Sequence, residues 1–426
     1  MKQQRGYTYK LKPTEDQEQK LLQFAGAFRW VWNRALATIE EHYAETGKHL
    51  SAYKVAKDLL SWKKAEETSW LYEINAQVLQ QPFRDLGDAY NRYFRGQNNK
   101  PRFKKRGHHD HFRYPQGVRV EGSRMYLPCI GWARFFKSRD IKGVIKSVTV
   151  KRKASGWYAV LKVEREVPGQ VTASPDPQSA VGIDFGLRHF ATLSDGTKVD
   201  CPNPYRAAER RLGKARKSLS RKQRGSHNWE RQKKRVVLLE EEVANRRKDF
   251  LDKLSTGLVE RFNLICVEDL NLHALKGSLR LGKSISDAGW GKFINMLEYK
   301  AEEKGKAIWK ANRWWPSSKT CSGCGHVNAK LKLKDTVFVC PACKLEIDRD
   351  LNAAINLVAA GLADTQNARG GDVRPSGAPV PVADSCEAGT CERVLAPASL
   401  ALESPGFSRG EDVNISTIID LDERKT

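Results

Sequence analysis

The chain has 426 residues, with 74 Lys and Arg against 50 Asp and Glu, which gives a formal net charge of +24. This length suits two or three domains with separate cores. The cationic excess favours a polyanionic partner over a merely soluble basic protein. No apolar run approaches membrane-spanning length, and the first five residues lack the pattern of a secretory signal. We therefore expect a cytoplasmic, nucleoid-associated protein with no membrane partner.

The first hundred residues predict one strand followed by helices. Residues 7–11 alternate like a short strand, and Thr14 with Gln17 forms a capping-box pattern. Apolar side chains then recur at helical spacing up to residue 46, and further helical patterns cover 52–62 and 73–94. A small helical domain therefore interrupts a structure that begins as a strand.

The chain then changes from helical to β character. Residues 95–115 are polar and basic, whereas residues 118–167 alternate in short β-like runs. We expect a β-barrel or sandwich that the N-terminal strand completes. Residues 171–179 include a Ser-Pro-Asp-Pro run that is typical of a linker.

A new domain begins with the apolar run from Ala180 to Asp184. The strands and helices expected after it alternate, and they cover 190–193, 206–262 (two helices broken near residue 224), 262–268, 291–304, 307–310 and 350–360. Residues 362–426 are rich in Pro, Gly, Ser and Ala and carry 11 acidic against 6 basic side chains. That composition predicts a disordered acidic tail.

Four of the nine cysteines form two Cys-x-x-Cys pairs that are fifteen residues apart. They are Cys321, Cys324, Cys340 and Cys343. This spacing is typical of a zinc ribbon, in which each pair presents two thiolates to one tetrahedral ion. A redox pair is the alternative, and the doubled spacing disfavours it. Four protein ligands leave no open coordination position, so the predicted zinc is structural.

Three carboxylates lie on elements that could converge on one site. Asp184 ends the first strand of the second half, Glu268 ends a later strand, and Asp350 begins the last helix. Hydrolysis of a phosphodiester with two Mg²⁺ ions needs such hard oxygen ligands from several elements, and this order is that of RNase H-like nucleases of the RuvC type. Singly, each acid also fits a turn, a strand end or a helix cap. Asp348 competes with Asp350 but suits a capping role better, and Asp269 alternates away from Glu268.

Basic and polar segments offer candidate contacts to nucleic acid. The loop of residues 100–106 mixes cations with Phe, Pro and Gly, which suits phosphate contacts and base stacking. A helix in the second half has a cationic face, and an earlier helix has glutamines that could read adenine. A solvated helix surface is the alternative for both helices. The candidate residues are Gln77, Gln80, Arg102, Lys104, Lys105, Arg106, Arg210, Lys214, Lys217 and Arg221.

Taken together, these segments resemble the TnpB family of transposon-encoded RNA-guided nucleases, which is related to type V CRISPR effectors. The matching segments begin at Tyr9 (Tyr-Lys-Leu-Lys-Pro-Thr), Val78 (Val-Leu-Gln-Gln), Lys100 (Lys-Pro-Arg-Phe-Lys-Lys-Arg), Phe112 (Phe-Arg-Tyr), Gly182 (Gly-Ile-Asp-Phe-Gly), Val267 (Val-Glu-Asp-Leu), Pro316 (Pro-Ser-Ser-Lys-Thr-Cys-Ser-Gly-Cys-Gly) and Asp348 (Asp-Arg-Asp-Leu-Asn-Ala-Ala-Ile-Asn). They occur in family order up to about residue 360, and the last two are the most specific.

The resemblance implies a multidomain α+β protein. Its expected parts are a wedge β-barrel (1–13 and 96–170), a helical recognition domain (14–95), a linker (171–179), a RuvC nuclease domain (180–316 and 347–361), an inserted zinc ribbon (317–346) and the tail (362–426). It further implies that the protein binds a guide RNA from the transposon end and cleaves target double-stranded DNA beside a short motif, with Asp184, Glu268 and Asp350 as the RuvC acids. We also expect a monomer. The alternatives are a miniature type V CRISPR effector, or an RNA-guided repressor or transposition accessory without cleavage.

Overall fold

The computed structural model describes residues 2–168, 176–271, 282–313, 315–332 and 334–367. Contacts divide the chain into two compact units, one formed by Lys2–Glu166 and the other beginning at Val167. Most of the expected linker and the part of the expected tail after residue 367 lie outside the described residues. Within the described ranges, no helix is long and apolar enough to cross a membrane.

The first unit is built on a seven-stranded sheet. Its strands are β1 (Lys2–Lys12), β2 (His111–Tyr114), β3 (Arg119–Glu121), β4 (Arg124–Leu127), β5 (Gly131–Phe135), β6 (Val144–Lys153) and β7 (Gly156–Glu166). The order across the sheet is β2-β6-β7-β1-β5-β4-β3. β1 pairs antiparallel with both β7 and β5, so the N-terminal strand does complete the later β region, as predicted. A closed barrel stays a prediction.

Helices fill the sequence gap between β1 and β2. They are α1 (Glu15–Thr46), α2 (Ala52–Val55), α3 (Leu59–Lys64) and α4 (Ala76–Phe94). The capping box is present, because the Thr14 hydroxyl accepts from the Gln17 N–H and the Gln17 side chain accepts from the Thr14 N–H. The helical pattern over 52–62 forms α2 and α3, with a 3₁₀ turn (Ala56–Asp58) between them. α4 begins later than expected because the Asn75 side chain caps it.

The second unit has a five-stranded sheet surrounded by helices. Its elements are β8 (Ala180–Asp184), β9 (His189–Leu193), β10 (Lys198–Asp200), α5 (Pro204–Ser220), α6 (His227–Arg261), β11 (Leu264–Glu268), α7 (Gly282–Ala288), α8 (Trp290–Lys304), β12 (Ala307–Ala311), β13 (Val337–Val339), β14 (Glu346–Asp348) and α9 (Arg349–Asn367). The order is β10-β9-β8-β11-β12, in which β8, β11 and β12 are parallel neighbours and β9 pairs antiparallel with both β8 and β10. β13 and β14 form a separate small sheet.

The central strands of the second unit are apolar on both faces, as expected for strands covered by helices on each side. On one face, the strand residues pack in one cluster with buried residues of α6 and α8. These strand residues are Val181, Ile183, Ile265 and Val267. On the opposite face, Leu264 and Cys266 cluster with Leu357 of α9. Side chains alternate along a strand, so Asp184 and Glu268 share the face that α9 covers. α9 also continues six residues beyond the predicted boundary at 361.

Candidate functional site

Asp184 and Glu268 lie side by side at one end of the five-stranded sheet. They are the last residues of β8 and β11, which are neighbouring parallel strands. The register places Val267 opposite Ile183, so the next residues of the two strands, Glu268 and Asp184, are also neighbours. Neighbouring strands are about 4.8 Å apart, and both acids project toward the face covered by α9.

The third acid is brought to this sheet end by the close approach of α9 to β8. A Cβ atom at Gly182 would lie 1.9 Å from the carbonyl oxygen of Ala354, so the helix backbone rests directly on the strand. Ala354 follows Asp350 by one helical turn, which places both on the same side of α9. A Cβ at Gly186 would lie 3.9 Å from Oδ2 of Asp350. The structure therefore brings all three predicted acids to one place.

The electrostatics of this acidic cluster favour a bound cation. Burial raises the pKa of Asp184 well above its usual value, and the charges of Glu268 and Asp350 raise it further, while Arg349 opposes the shift. Among groups of three or more His, Cys, Asp or Glu side chains in the described part of the chain, only the four cysteines have ligand atoms that all lie within 4.8 Å of one another. The carboxylates are thus spread more widely than the ligands of a closed site. Their hard oxygens and mutual repulsion fit Mg²⁺.

Two of the three acids, Glu268 and Asp350, have a protein partner on one carboxylate oxygen. Glu268 accepts a hydrogen bond from the Ser317 hydroxyl, and Oδ1 of Asp350 accepts from the guanidinium of Arg349 at 2.9 Å. Asp269 is turned away from the cluster and pairs with Arg313 at 2.7 Å, as its alternation along the strand predicts. Partners on one oxygen leave the other oxygen of each carboxylate available to a cation.

Asp348 caps α9, which is the role predicted for it. Its Oδ1 accepts from the backbone N–H groups of Asp350 at 3.0 Å and Leu351 at 3.1 Å. Burial alone would raise the pKa of Asp348, but the bond from Lys198 at 2.7 Å and the two N–H donors lower it. Asp348 therefore fixes the start of the helix that carries Asp350.

The four predicted cysteines form a cluster that fits zinc. The sulfur atoms of Cys321 and Cys343 are 3.6 Å apart, and those of Cys324 and Cys340 are 3.5 Å apart. All four Sγ atoms lie within 4.8 Å of one another. Tetrahedral Zn–S bonds of about 2.3 Å place the sulfurs roughly 3.8 Å apart, which is close to these distances. The pKa of the Cys340 thiol is lowered to about 6, mainly because its sulfur accepts a hydrogen bond from the backbone N–H of Cys343. Burial raises the pKa of the Cys321 thiol to about 12.

Loss of one zinc ligand should unfold the ribbon. We expect Cys324→Ser to lose its zinc, measured by elemental analysis, and to become open to proteolysis within 317–348, because binding energy at a structural zinc site is folding energy. Cys129→Ser is the matched control, since Cys129 is an exposed free thiol outside the cluster. Full zinc content in Cys324→Ser would contradict the assignment.

The predicted cationic face of α5 is exposed. Leu212 and Ala215 point inward, whereas the four candidate cations lie on the solvent side at spacings of four, three and four residues. They are Arg210, Lys214, Lys217 and Arg221. Other cations of this helix form ion pairs with α6, including Arg216 with Glu240 at 2.6 Å. The free cations of α5 are therefore available to a polyanion.

The basic loop of the first unit is fixed to α1 through Lys104. Its ammonium lies 3.9 Å from the centre of the Trp32 ring, and burial lowers the pKa of Lys104 to about 8. The side chain of Asn33 bonds both the N–H and the C=O of Lys104. Lys104 thus anchors the loop to α1, and a contact of its ammonium with phosphate stays a prediction. The other candidate cations of the loop, Arg102, Lys105 and Arg106, are exposed.

The glutamines of α4 differ in exposure. Gln80 is exposed and Gln77 half-buried, while Gln81 is buried and donates to the Gln77 carbonyl at 3.1 Å. Of the three, only Gln80 presents its amide freely to solvent. Base reading by Gln77 and Gln80 stays a prediction.

The sequence reading missed several polar residues around the acids and the zinc cluster. They are Ser317, Arg349, Asn352 and Asn356. A usable signal was present, because the two asparagines stand four residues apart in an otherwise apolar stretch of α9, and asparagine is uncommon inside a helix unless its amide has partners. Their partners, however, lie 30 and 39 residues away along the chain.

The described residues thus define a mixed α/β protein with an acidic cluster at a sheet end and, beside it, a four-cysteine cluster whose geometry fits a metal ion. Three family models match the chain: OrfB_IS605, described as a probable transposase, over residues 159–279; the Cas12f1-like TNB domain over 290–357; and a helix-turn-helix domain of the OrfB type over 1–48. In the structure the last range forms β1 and α1.

Whole-chain comparisons agree with these matches. InsQ of Escherichia coli K12, a protein named as an RNA-guided DNA endonuclease, is 37% identical over 378 residues, or 85% of this chain and 93% of that protein. A Streptomyces pristinaespiralis protein with the same kind of name is 34% identical over 380 residues, or 87% and 92%. The chain belongs to the OrfB (TnpB) transposase family. A Cas12f1–sgRNA–target DNA complex shares the fold at 15% identity and a TM-score of 0.50, covering 80% of this chain and 82% of that chain.

Proposed function

We propose that this protein is an RNA-guided DNA endonuclease that binds a noncoding guide RNA and cleaves target double-stranded DNA beside a short adjacent motif. The observation that carries the proposal is the convergence of Asp184, Glu268 and Asp350 at one sheet end, where burial and the charges of the other two acids raise the pKa of Asp184. Two relatives that match more than four fifths of this chain are named as RNA-guided DNA endonucleases. The sheet order and these acids support the RNase H-like, RuvC assignment.

The residues of the chain have separate roles in this proposal. Asp184, Glu268 and Asp350 would hold Mg²⁺, and two ions bound there would activate water and stabilise the charge on the scissile phosphate. Asp348 fixes the start of the helix that presents Asp350. Arg349 compensates the negative charge of the cluster, since it lowers the pKa of Asp184.

The remaining parts would hold nucleic acid. We assign the seven-stranded sheet to the wedge domain, the helices of the first unit to the recognition domain, and the four-cysteine module to a structural zinc ribbon. Watson–Crick pairing with the guide would supply sequence specificity, and the cationic residues would hold the heteroduplex by its backbone. The net charge of +24 suits such a partner and a location at the nucleoid.

The proposal is tested with the RNA that copurifies with the full chain. After sequencing that RNA, the complex is rebuilt with a guide matched to one plasmid and incubated with a library of flanking sequences in Mg²⁺. We expect cleavage only of plasmids that carry both the matched target and one flanking motif, and none in EDTA. Cleavage that ignores the guide contradicts RNA guidance, and guide-dependent binding without cleavage supports a repressor.

Neutralising the cationic face of α5 should weaken nucleic-acid binding in a salt-dependent way. In a variant with Arg210, Lys214 and Lys217 changed to Gln, we expect the slope of log K against log salt for duplex binding to fall by about 0.9 for each phosphate that the helix no longer neutralises. Lys253→Gln on α6 is the control, because its exposed ammonium already pairs with Asp249 at 2.7 Å. An unchanged slope in the triple variant would show that α5 does not touch the nucleic-acid backbone.

A further inference from the structure

Ser317 connects the segment before the first zinc ligand to the acidic cluster. Its side chain is buried, with only 3% of the residue exposed, and its hydroxyl donates to Oε1 of Glu268. Ser317 stands four residues before Cys321. A donor that engages one oxygen of a carboxylate fixes its rotation and leaves the second oxygen for a cation.

Two buried asparagines of α9 hold the same segment. Asn352 and Asn356 are 0% and 7% exposed. Nδ2 of Asn356 donates to the carbonyl oxygens of Ser317 at 2.8 Å and Thr320 at 2.7 Å. Asn352 donates to the Thr320 carbonyl at 2.7 Å and accepts from the N–H of Ser322 at 2.9 Å. Because the asparagines stand four residues apart, both amides reach the segment from one side of α9.

Residues 317–322 are therefore bonded to two acid-bearing elements and are continuous with the zinc cluster. On one side they contact Glu268 at the end of β11, and on the other they are held by α9, whose first turn carries Asp350. Cys321 ties the same segment to the other three thiols. Movement of this segment would shift Glu268 relative to Asp350.

We propose that Ser317 and Asn356 are positioning residues for the cation at the acidic cluster, and that the zinc-held segment 317–322 sets the orientation of Glu268 through them. The inference rests on the proposed function only in taking that cluster as the Mg²⁺ site. It differs from a purely structural role, in which the asparagines would merely satisfy buried carbonyl groups. A positioning role predicts a change in cation affinity that loss of stability alone does not produce.

The first test measures cation binding without substrate. Mn²⁺, which prefers the same oxygen ligands as Mg²⁺, is titrated into the full chain freed of nucleic acid and followed by electron paramagnetic resonance. Binding at the acidic cluster is identified as the part of the Mn²⁺ signal that is lost in Asp184→Asn. We expect Ser317→Ala to weaken Mn²⁺ binding about tenfold, the lower end of the loss seen when hydrogen-bond partners of metal ligands are removed.

Two matched variants separate positioning from packing. Ser317→Thr keeps the hydroxyl and should bind Mn²⁺ within about twofold of the wild type, and Ser318→Ala on the neighbouring residue should change nothing. An unchanged Mn²⁺ affinity in Ser317→Ala overturns the proposal, as does a lower Tm in that variant without weaker binding.

The link to zinc is tested by combining the changes. Asn356→Leu keeps a similar side-chain volume and removes both donors without adding a charge, so we expect weaker Mn²⁺ binding with zinc still bound. In zinc-stripped protein, Ser317→Ala should lower the affinity for Mn²⁺ by less than about twofold, because a segment released from zinc no longer orients Glu268. A full tenfold cost without zinc overturns the coupling. None of these readouts needs cleavage, so their failure is distinct from failure of the nuclease proposal.

Discussion

Asp184→Asn should abolish DNA cleavage and at the same time stabilise the protein in the absence of divalent cations. The loss of a carboxylate ligand removes several kcal/mol of charge stabilisation, so we expect the cleavage rate to fall on the order of 10³-fold or more. Guide-dependent DNA binding should persist, since Asp184 lies in the acidic cluster and not on the cationic face of α5. The measurements are plasmid cleavage in Mg²⁺ and a binding assay with the same complex.

The stabilisation follows from the sign of the pKa shift. Burial and neighbouring acids raise the pKa of Asp184 in the folded protein, so the folded state holds more protons than the unfolded state between the two pKa values. Stability contributed by this group is therefore present at low pH and is lost as the pH rises through the raised pKa. Asparagine removes the buried charge. We therefore expect the free energy of unfolding to rise by about 1 kcal/mol, and Tm by roughly 2–4 °C, at neutral pH in EDTA.

The pH dependence supplies the contradicting outcome. The gap in Tm between Asp184→Asn and the wild type should close as the pH is lowered, because protonated Asp184 resembles the amide. Asp269→Asn is the control, since Asp269 belongs to an ion pair with Arg313 outside the cluster. Equal cleavage by Asp184→Asn and the wild type, or a Tm gap that grows on acidification, would be inconsistent with a cation site at these acids.

Gly182→Ala should destabilise the second unit and separate the acids. The added Cβ would lie 1.9 Å from the Ala354 carbonyl oxygen and 3.0 Å from the Val358 nitrogen, and both are backbone atoms that no side-chain rotation can move away. The helix must shift off the strand, at a cost of about 3 kcal/mol or more. The cleavage rate should fall even at temperatures where the Gly182→Ala variant is folded, because Asp350 moves with α9 while Asp184 stays on β8.

Gly257→Ala provides the comparison for this substitution. Gly257 lies inside α6, and a Cβ there would meet no heavy atom within 4 Å. The same chemical change should therefore stabilise the helix by about 0.5–1 kcal/mol. Thermal unfolding of both variants, followed by cleavage at a temperature where each is folded, distinguishes overpacking from a general effect of alanine. Similar Tm values for the two variants would contradict the tight helix–strand contact.

Local patterns predicted most of the individual elements. The capping box at Thr14 and the strand pattern ending at Asp184 depend on neighbours within a few residues, so the sequence specified them directly. Other features depend on contacts between distant segments. Trp32 and Asn33 of α1 hold Lys104 against aromatic rings, although its neighbours in the chain are cationic. The helical pattern over 52–62 contains no local signal for the 3₁₀ turn that separates α2 from α3.

The sequence by itself determined the chemistry that is available: four thiolates at ribbon spacing, three acids on elements in a definite order, and an excess of positive charge. The tertiary structure alone decided how these groups meet. The contact of Gly182 with α9 places Asp350 against a strand end more than 160 residues earlier, and Ser317 with Asn356 ties the zinc-held segment to Glu268. Such placements follow from packing between distant elements, where one added methyl group or one missing hydrogen bond shifts the balance, and no local periodicity encodes them.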